Sequence, residues 1–205
     1  MNTKRIHYAT GLVITVFVAL HLFNHACSLL SIEKHIEVMT SLRSIYRNIF
    51  IEIILLSAVC IQIFTGISLF KRNRKIVSTP FEKLQLWSGL YIAIFFIIHL
   101  SAVLGGRFIL HLDTNFYFGV AGLNSFPANL FFIPYYGLAI FSFFGHIASI
   151  HSKKMTRSVF GVSPAKQSVI ILVLAVVFII VLFFGLANHF NGINIPEEYK
   201  ILIGQ

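Results

Sequence analysis

The chain has 205 residues, of which 57% are hydrophobic, 15% aromatic and only 11% charged, a balance that excludes an ordinary soluble domain and predicts an integral membrane protein. Sixteen Lys and Arg against seven Asp and Glu give a formal charge of +9. In so apolar a chain that excess is read as loop asymmetry, which sets nucleic-acid binding aside.

Apolar stretches long enough to cross a bilayer, about 20 residues each, fall in chain order near 7–30, 49–70, 85–107, 128–151 and 167–189. The first follows Lys4 and Arg5 as a signal peptide would, but it is long and has no small-residue cleavage pattern before Cys27, so a mature span is expected. A joint from Ser31 to Asn48 separates it from the second span, which ends in the basic run Lys71-Arg72-Asn73-Arg74-Lys75. The third begins after Pro80, a long joint runs from Gly105-Gly106 through Pro127, and Ser152 to Pro164 precedes the fifth. The fifth span is almost featureless apart from Asn188 and His189 and is expected to serve packing. Cys27 and Cys60, at the end of one span and deep in the next, are expected to be too far apart for a disulfide. The fold expected is an all-α integral membrane protein, one transmembrane domain over residues 1–205, with the first four spans forming an up-down-up-down bundle.

Counting basic residues joint by joint places Lys4, Arg5, Lys71, Arg72, Arg74, Lys75, Lys83, Lys153, Lys154, Arg157 and Lys166 on one side of the membrane. Lys34, Arg43, Arg47, Arg107 and Lys200 fall on the other, with six of the seven acids. The positive-inside rule then puts the N-terminus inside and the C-terminus outside, in a multi-pass protein of a bacterial inner membrane.

Nine histidines are many for such a chain, and ionisable groups inside spans are candidates for function. His7, His35, His111, His151 and His189 lie at edges or in joints and read as interfacial polar residues, which leaves His21, His25, His99 and His146. An internal echo relates the first and third spans: Thr10-Gly11-Leu12 ends nine residues before His21, and Ser88-Gly89-Leu90 ends nine before His99. A rise of about 1.5 Å per residue puts both imidazoles at matching depth in the outer half of the bilayer. Two readings follow: a bis-histidine haem held between diagonal helices, with Gly11, Gly66, Gly89 and Gly145 letting backbone approach the macrocycle, or histidines hydrogen-bonded between helices. His25, one turn beyond His21, is either a hydrogen-bonding residue near the outer surface or a second metal ligand of the i, i+4 kind. No Gly-rich phosphate loop, GxSxG elbow or CxxC pair is present, so chemistry within the chain would be redox or metal-based.

These residues resemble the haem-binding membrane subunit of succinate dehydrogenases and fumarate reductases, in its single-chain form with five helices and two haems. Ala9-Thr10-Gly11-Leu12 leading to His21 looks like that family's first helix, and Gln85, Ser88-Gly89 and Phe95-Phe96 leading to His99 look like its third. The resemblance implies that His21 and His99 are the axial ligands of one outer haem b, packed against Gly11 and Gly89. It also implies a second haem on His146, but the helix carrying its partner reads Gln62-Ile63-Phe64-Thr65-Gly66 here. An amide is a poor axial ligand beside imidazole, so one haem is expected, with Gln62 and His146 hydrogen-bonded to each other. The partners implied are a quinone, flavoprotein and iron-sulfur subunits, or further copies of the chain in a homo-oligomer.

On the outer side the resemblance implies a quinone region, with Glu52 and Asp113 as proton-exchanging acids. The same acids read equally as ion-pair partners of Arg47 or Arg107. Arg43, Arg47 and Arg107 are the cations placed to neutralise haem propionates. A rival reading gathers His21, His25, His99 and His111 around copper, zinc or iron in a metal-binding or transport protein. A third is a haem-free structural or assembly subunit.

Overall fold

The computed structural model describes residues 2–205 and is built of helices. The long ones are α1 (Thr3–Ala26), α3 (Ile49–Asn73), α4 (Pro80–Phe108), α6 (Asn129–Lys154) and α7 (Pro164–Leu186), all five long and apolar enough to cross a membrane. They match the five predicted spans to within a few residues at most ends. The chain is an all-α, multi-pass membrane protein. Exposed apolar side chains such as Phe64, Ile97, Leu138 and Leu174 give the ring a surface suited to a lipid bilayer.

Local chemistry sets the ends. Thr79 and Glu82 form a reciprocal capping box, with Pro80 in the first turn, so α4 starts about five residues before the apolar run. α7 likewise opens with a proline, Pro164, in its first turn, while the Ser163 side chain makes no capping bond. At its other end α7 stops at Leu186, and Asn188, His189 and Phe190 all take positive φ, so the two polar residues assigned to the fifth span lie beyond it.

The joint from Ser31 to Asn48 is itself a helix, α2 (Ile32–Tyr46), capped by the Ser31 side chain, which accepts from the Lys34 N–H at 3.0 Å. A short α5 (Phe116–Val120) and a 3₁₀ turn at Glu197–Ile203 complete the chain at the same end of the molecule. There α2, α5 and the C-terminal turn form a cap over the ends of the spans. The buried apolar core is concentrated beneath it, around Leu22, Phe116, Val120, Leu182, Leu186 and Tyr199.

The long helices form a ring: α1 packs on α3, α3 on α4, α4 on α6, α6 on α7, and α7 returns to α1. The expected four-helix bundle is therefore closed by a fifth helix, and α7 is a wall of the site as well as a packing element. α1 and α4 face each other across this ring with a cavity between them. Cys27 is buried, Cys60 is exposed, and both are free thiols.

Candidate functional site

The cavity between α1 and α4 has a volume of about 340 Å³ and walls that are mostly apolar. That size falls in the range of about 300–1,000 Å³ in which proteins hold small molecules and cofactors. His21 on α1 and His99 on α4 look into it from opposite sides, with ring centroids 6.3 Å apart and planes inclined at 69°. Each imidazole is stacked on an aromatic ring one turn earlier in its own helix, His21 on Phe17 at 5.8 Å and His99 on Phe95 at 5.0 Å. The sequence echo thus extends one residue pair further than the Thr/Ser-Gly-Leu match. Among the described residues no side chain or backbone group hydrogen-bonds the His99 ring.

His21, by contrast, is the inner end of a hydrogen-bonded chain. Its Nε2 lies 3.1 Å from Nε2 of His25, and Nδ1 of His25 lies 3.2 Å from Nε2 of His35. The Asn24 amide Nδ2 donates to that same nitrogen of His35 at 3.3 Å. The three imidazoles are thus joined by two nitrogen–nitrogen bonds, each with one ring donating and the other accepting, the direction being set by the tautomers. The Nδ1 of His35 and the Oδ1 of Asn24 remain without partners although both are buried.

His35, predicted as an interfacial polar residue, is 2% exposed, packed edge-on to Phe116 at 4.9 Å. Burial, reinforced by His21 and the positive charge of Arg43, lowers its pKa to about 4. His111 takes no part: it sits exposed in the joint after α4 with φ 55°. Among the described residues no group of three or more His, Cys, Asp or Glu side chains gathers as a metal site would, so the outer histidine cluster of the rival reading has no such centre.

At the capped end the cavity meets Arg43, Arg47 and Arg107. Arg43 pairs with Asp113 at 2.8 Å and donates to the Thr114 carbonyl at 2.6 Å. Arg47 donates to the Thr114 hydroxyl at 3.0 Å and stands 3.8 Å from Asp113. Arg107 is ion-paired with Glu52, across α4 and α3. Both candidate proton-exchanging acids are thus engaged by arginine, the pairing that the sequence left open. Three guanidinium groups share two carboxylates, and the pKa of Arg47 is lowered by burial and by its neighbours Arg43 and Arg107. This end of the cavity has one cation in excess and suits an anionic group.

The basic half of the ring is filled. The Thr10 hydroxyl donates to Oε1 of Gln62 at 2.7 Å, the Gln62 amide donates to Nε2 of His7 at 3.2 Å, and Nδ1 of His7 donates to the Thr65 hydroxyl at 2.8 Å. His146 instead donates from Nδ1 to the Gln85 carbonyl at 3.0 Å, with Ser88 Oγ at 3.4 Å. The expected bond between Gln62 and His146 is absent: His7, a turn below Gly11 on α1, takes the amide first.

Gly11 and Gly89 lie ten residues before His21 and His99, about 15 Å along their helices, and do not line the cavity. A Cβ on Gly11 would stand 3.1 Å from Nε2 of Gln62, and one on Gly89 would stand 3.1 Å from Cε1 of His146. Gly66 and Gly145 are covered by His7 and Leu84 in the same way. These glycines admit polar and apolar side chains, which corrects their assignment to packing on the haem at His21 and His99. Comparisons with protein-family models, with curated proteins and with solved structures find no match.

Proposed function

We propose that the chain is a b-type cytochrome of the membrane, holding one haem b between His21 and His99 and exchanging electrons with a quinone. The observation that carries this is the pair of facing imidazoles. Two metal–nitrogen bonds of about 2 Å each, with the ring radii added, separate the centroids of two imidazoles on one iron by roughly 6 Å. His21 and His99 stand at 6.3 Å. The surrounding groups fit as well: apolar walls take the macrocycle, Phe17 and Phe95 fix the two rings, and Arg47 and Arg107 supply the positive end that two propionates need.

When bound, haem supplies a one-electron couple, and the protein's part is to hold it and exclude water. His21 and His99 would hold it, the arginines would meet its carboxylates, and Glu52 and Asp113 hold those arginines in place. The basic half, closed by the His7–Gln62 network, leaves one such group in the outer part of the ring. The capped face is where a quinone or a redox partner subunit of the flavoprotein or iron-sulfur class would meet the group. The positive-inside orientation makes that face external, in a bacterial inner membrane.

The test is the reduced-minus-oxidised spectrum of the purified chain, expressed with adequate haem, together with haem and metal content. A low-spin b-type spectrum near one haem per chain is expected, abolished by His21→Ala and by His99→Ala. No haem, or a spectrum indifferent to both substitutions, overturns the reading.

A further inference from the structure

The two facing imidazoles are not equivalent. Among the described residues none hydrogen-bonds the ring of His99, while Nε2 of His21 is committed to His25 at 3.1 Å. Whichever ring donates, that bond occupies the in-plane position of Nε2, and the contact to His35, which Asn24 bonds in turn, holds His25 against it. A ring nitrogen has one in-plane position, so it cannot hold a proton shared with His25 and bind a metal at once.

We propose that His25 is a built-in competitor for the axial nitrogen of His21, held in that role by His35 and Asn24, so that loading of the site requires His21 to exchange one partner for the other. The inference rests on the haem reading above. For the exchange Nε2 of His21 must be the unprotonated nitrogen, with the ring proton on Nδ1, which has no hydrogen-bond partner among the described residues, so that its lone pair would be free for the metal. No electrons are transferred, the proton count is unchanged, and His25 keeps its bond to His35. His25 is in this sense a positioning residue. It sets how tightly the site loads and in which form His21 waits.

The arrangement on the page favours a competitor over a supporting partner. A supporting partner would bond the ring nitrogen not used by the metal, as histidine ligands ordinarily do. His25 instead meets His21 at Nε2, and the ring centroids stand 4.5 Å apart, edge to face.

The experiment is a haemin titration of the full-length purified chain, followed at the Soret band, with the low-spin fraction read at saturation. Loss of one neutral hydrogen bond corresponds to roughly a five- to tenfold change in affinity, so His25→Phe is expected to lower Kd by about that factor and keep the low-spin spectrum. His25→Gln, whose amide can bond Nε2 of His21 as either donor or acceptor, is expected to stay within about twofold of the native chain. Weaker or unchanged binding by His25→Phe overturns the proposal. If that variant does not fold, His35→Phe releases His25 indirectly and is expected to tighten binding by about two- to threefold, and weakening there is equally fatal. The haem reading fails separately: haemin binding indifferent to His21→Ala and His99→Ala sinks both, whereas a wrong sign at His25 sinks only the competitor.

Discussion

At His35 burial is the first of the causes that decide the charge. The side chain is closed in by α1, α5 and its own helix, and its pKa falls to about 4 from the ordinary 6.5 because desolvation, His21 and Arg43 all oppose a cation there. Between those two values the unfolded chain binds a proton that the folded chain refuses, so the stability of the neutral ring is fully present above pH 6.5 and is lost as pH falls toward 4. Thermal unfolding of the native chain in detergent is therefore expected to drop more steeply over that window than unfolding of His35→Phe. Parallel slopes would mean that His35 is reached by solvent and protonated in the fold. The position could have been found from sequence: Ser31 is a cap, and Ile32, His35, Met39 and Arg43 recur at helical spacing. It read as a joint because the segment is too polar to span. His21 and His99 were legible because the echo sets their depth and the third span returns alongside the first.

At the scale of elements α7 comes close to the backbone of the 3₁₀ turn Cys27–Leu29 that follows α1. A Cβ on Gly185 would stand 2.7 Å from Oγ of Ser28 and 2.9 Å from the backbone nitrogen of Leu29. Backbone cannot step aside as a side-chain tip can, so Gly185→Ala is expected to destabilise by about 1–3 kcal/mol. Gly105, inside α4, has nothing within 4 Å of the added carbon. There the same substitution removes only the helix penalty of glycine, and an effect between neutral and about 1 kcal/mol stabilising is expected. Unfolding both variants in one detergent tests the pair, and equal effects would place the contact between α7 and the turn elsewhere. Neither glycine could be sorted from sequence, since each lies in an apolar helix and only the neighbouring element separates them. The span limits were readable because length and apolarity dictate them, while the start of α4 depended on a capping box outside the apolar run.

For the whole molecule the decisive feature is that a ring of five helices surrounds a cavity toward the capped end. Sequence indicated which spans exist and which side is basic, but not that α7 would stand between α6 and α1 and complete the wall with Leu182, Phe183 and Leu186. Beyond Lys166, Gln167 and Ser168 in its first turns that helix carries no polar residue by which to orient it, so the role of its cavity-facing half is set by closure of the ring. A space lined by helices α1 to α7 couples ligand binding to the stability of the entire fold. Anything bound to the folded chain alone stabilises it by mass action, about 2.7 kcal/mol when the free ligand is a hundredfold above Kd. Haemin at that excess is therefore expected to raise the unfolding temperature of the native chain by several degrees. His21→Ala and His99→Ala each remove one of the two ligands and are expected to abolish most of the rise, while Arg47→Gln and Arg107→Gln, which weaken only the anionic end, retain part of it. A rise of equal size in both histidine variants would mean that haemin is held by the apolar walls alone, without iron coordination by the facing imidazoles.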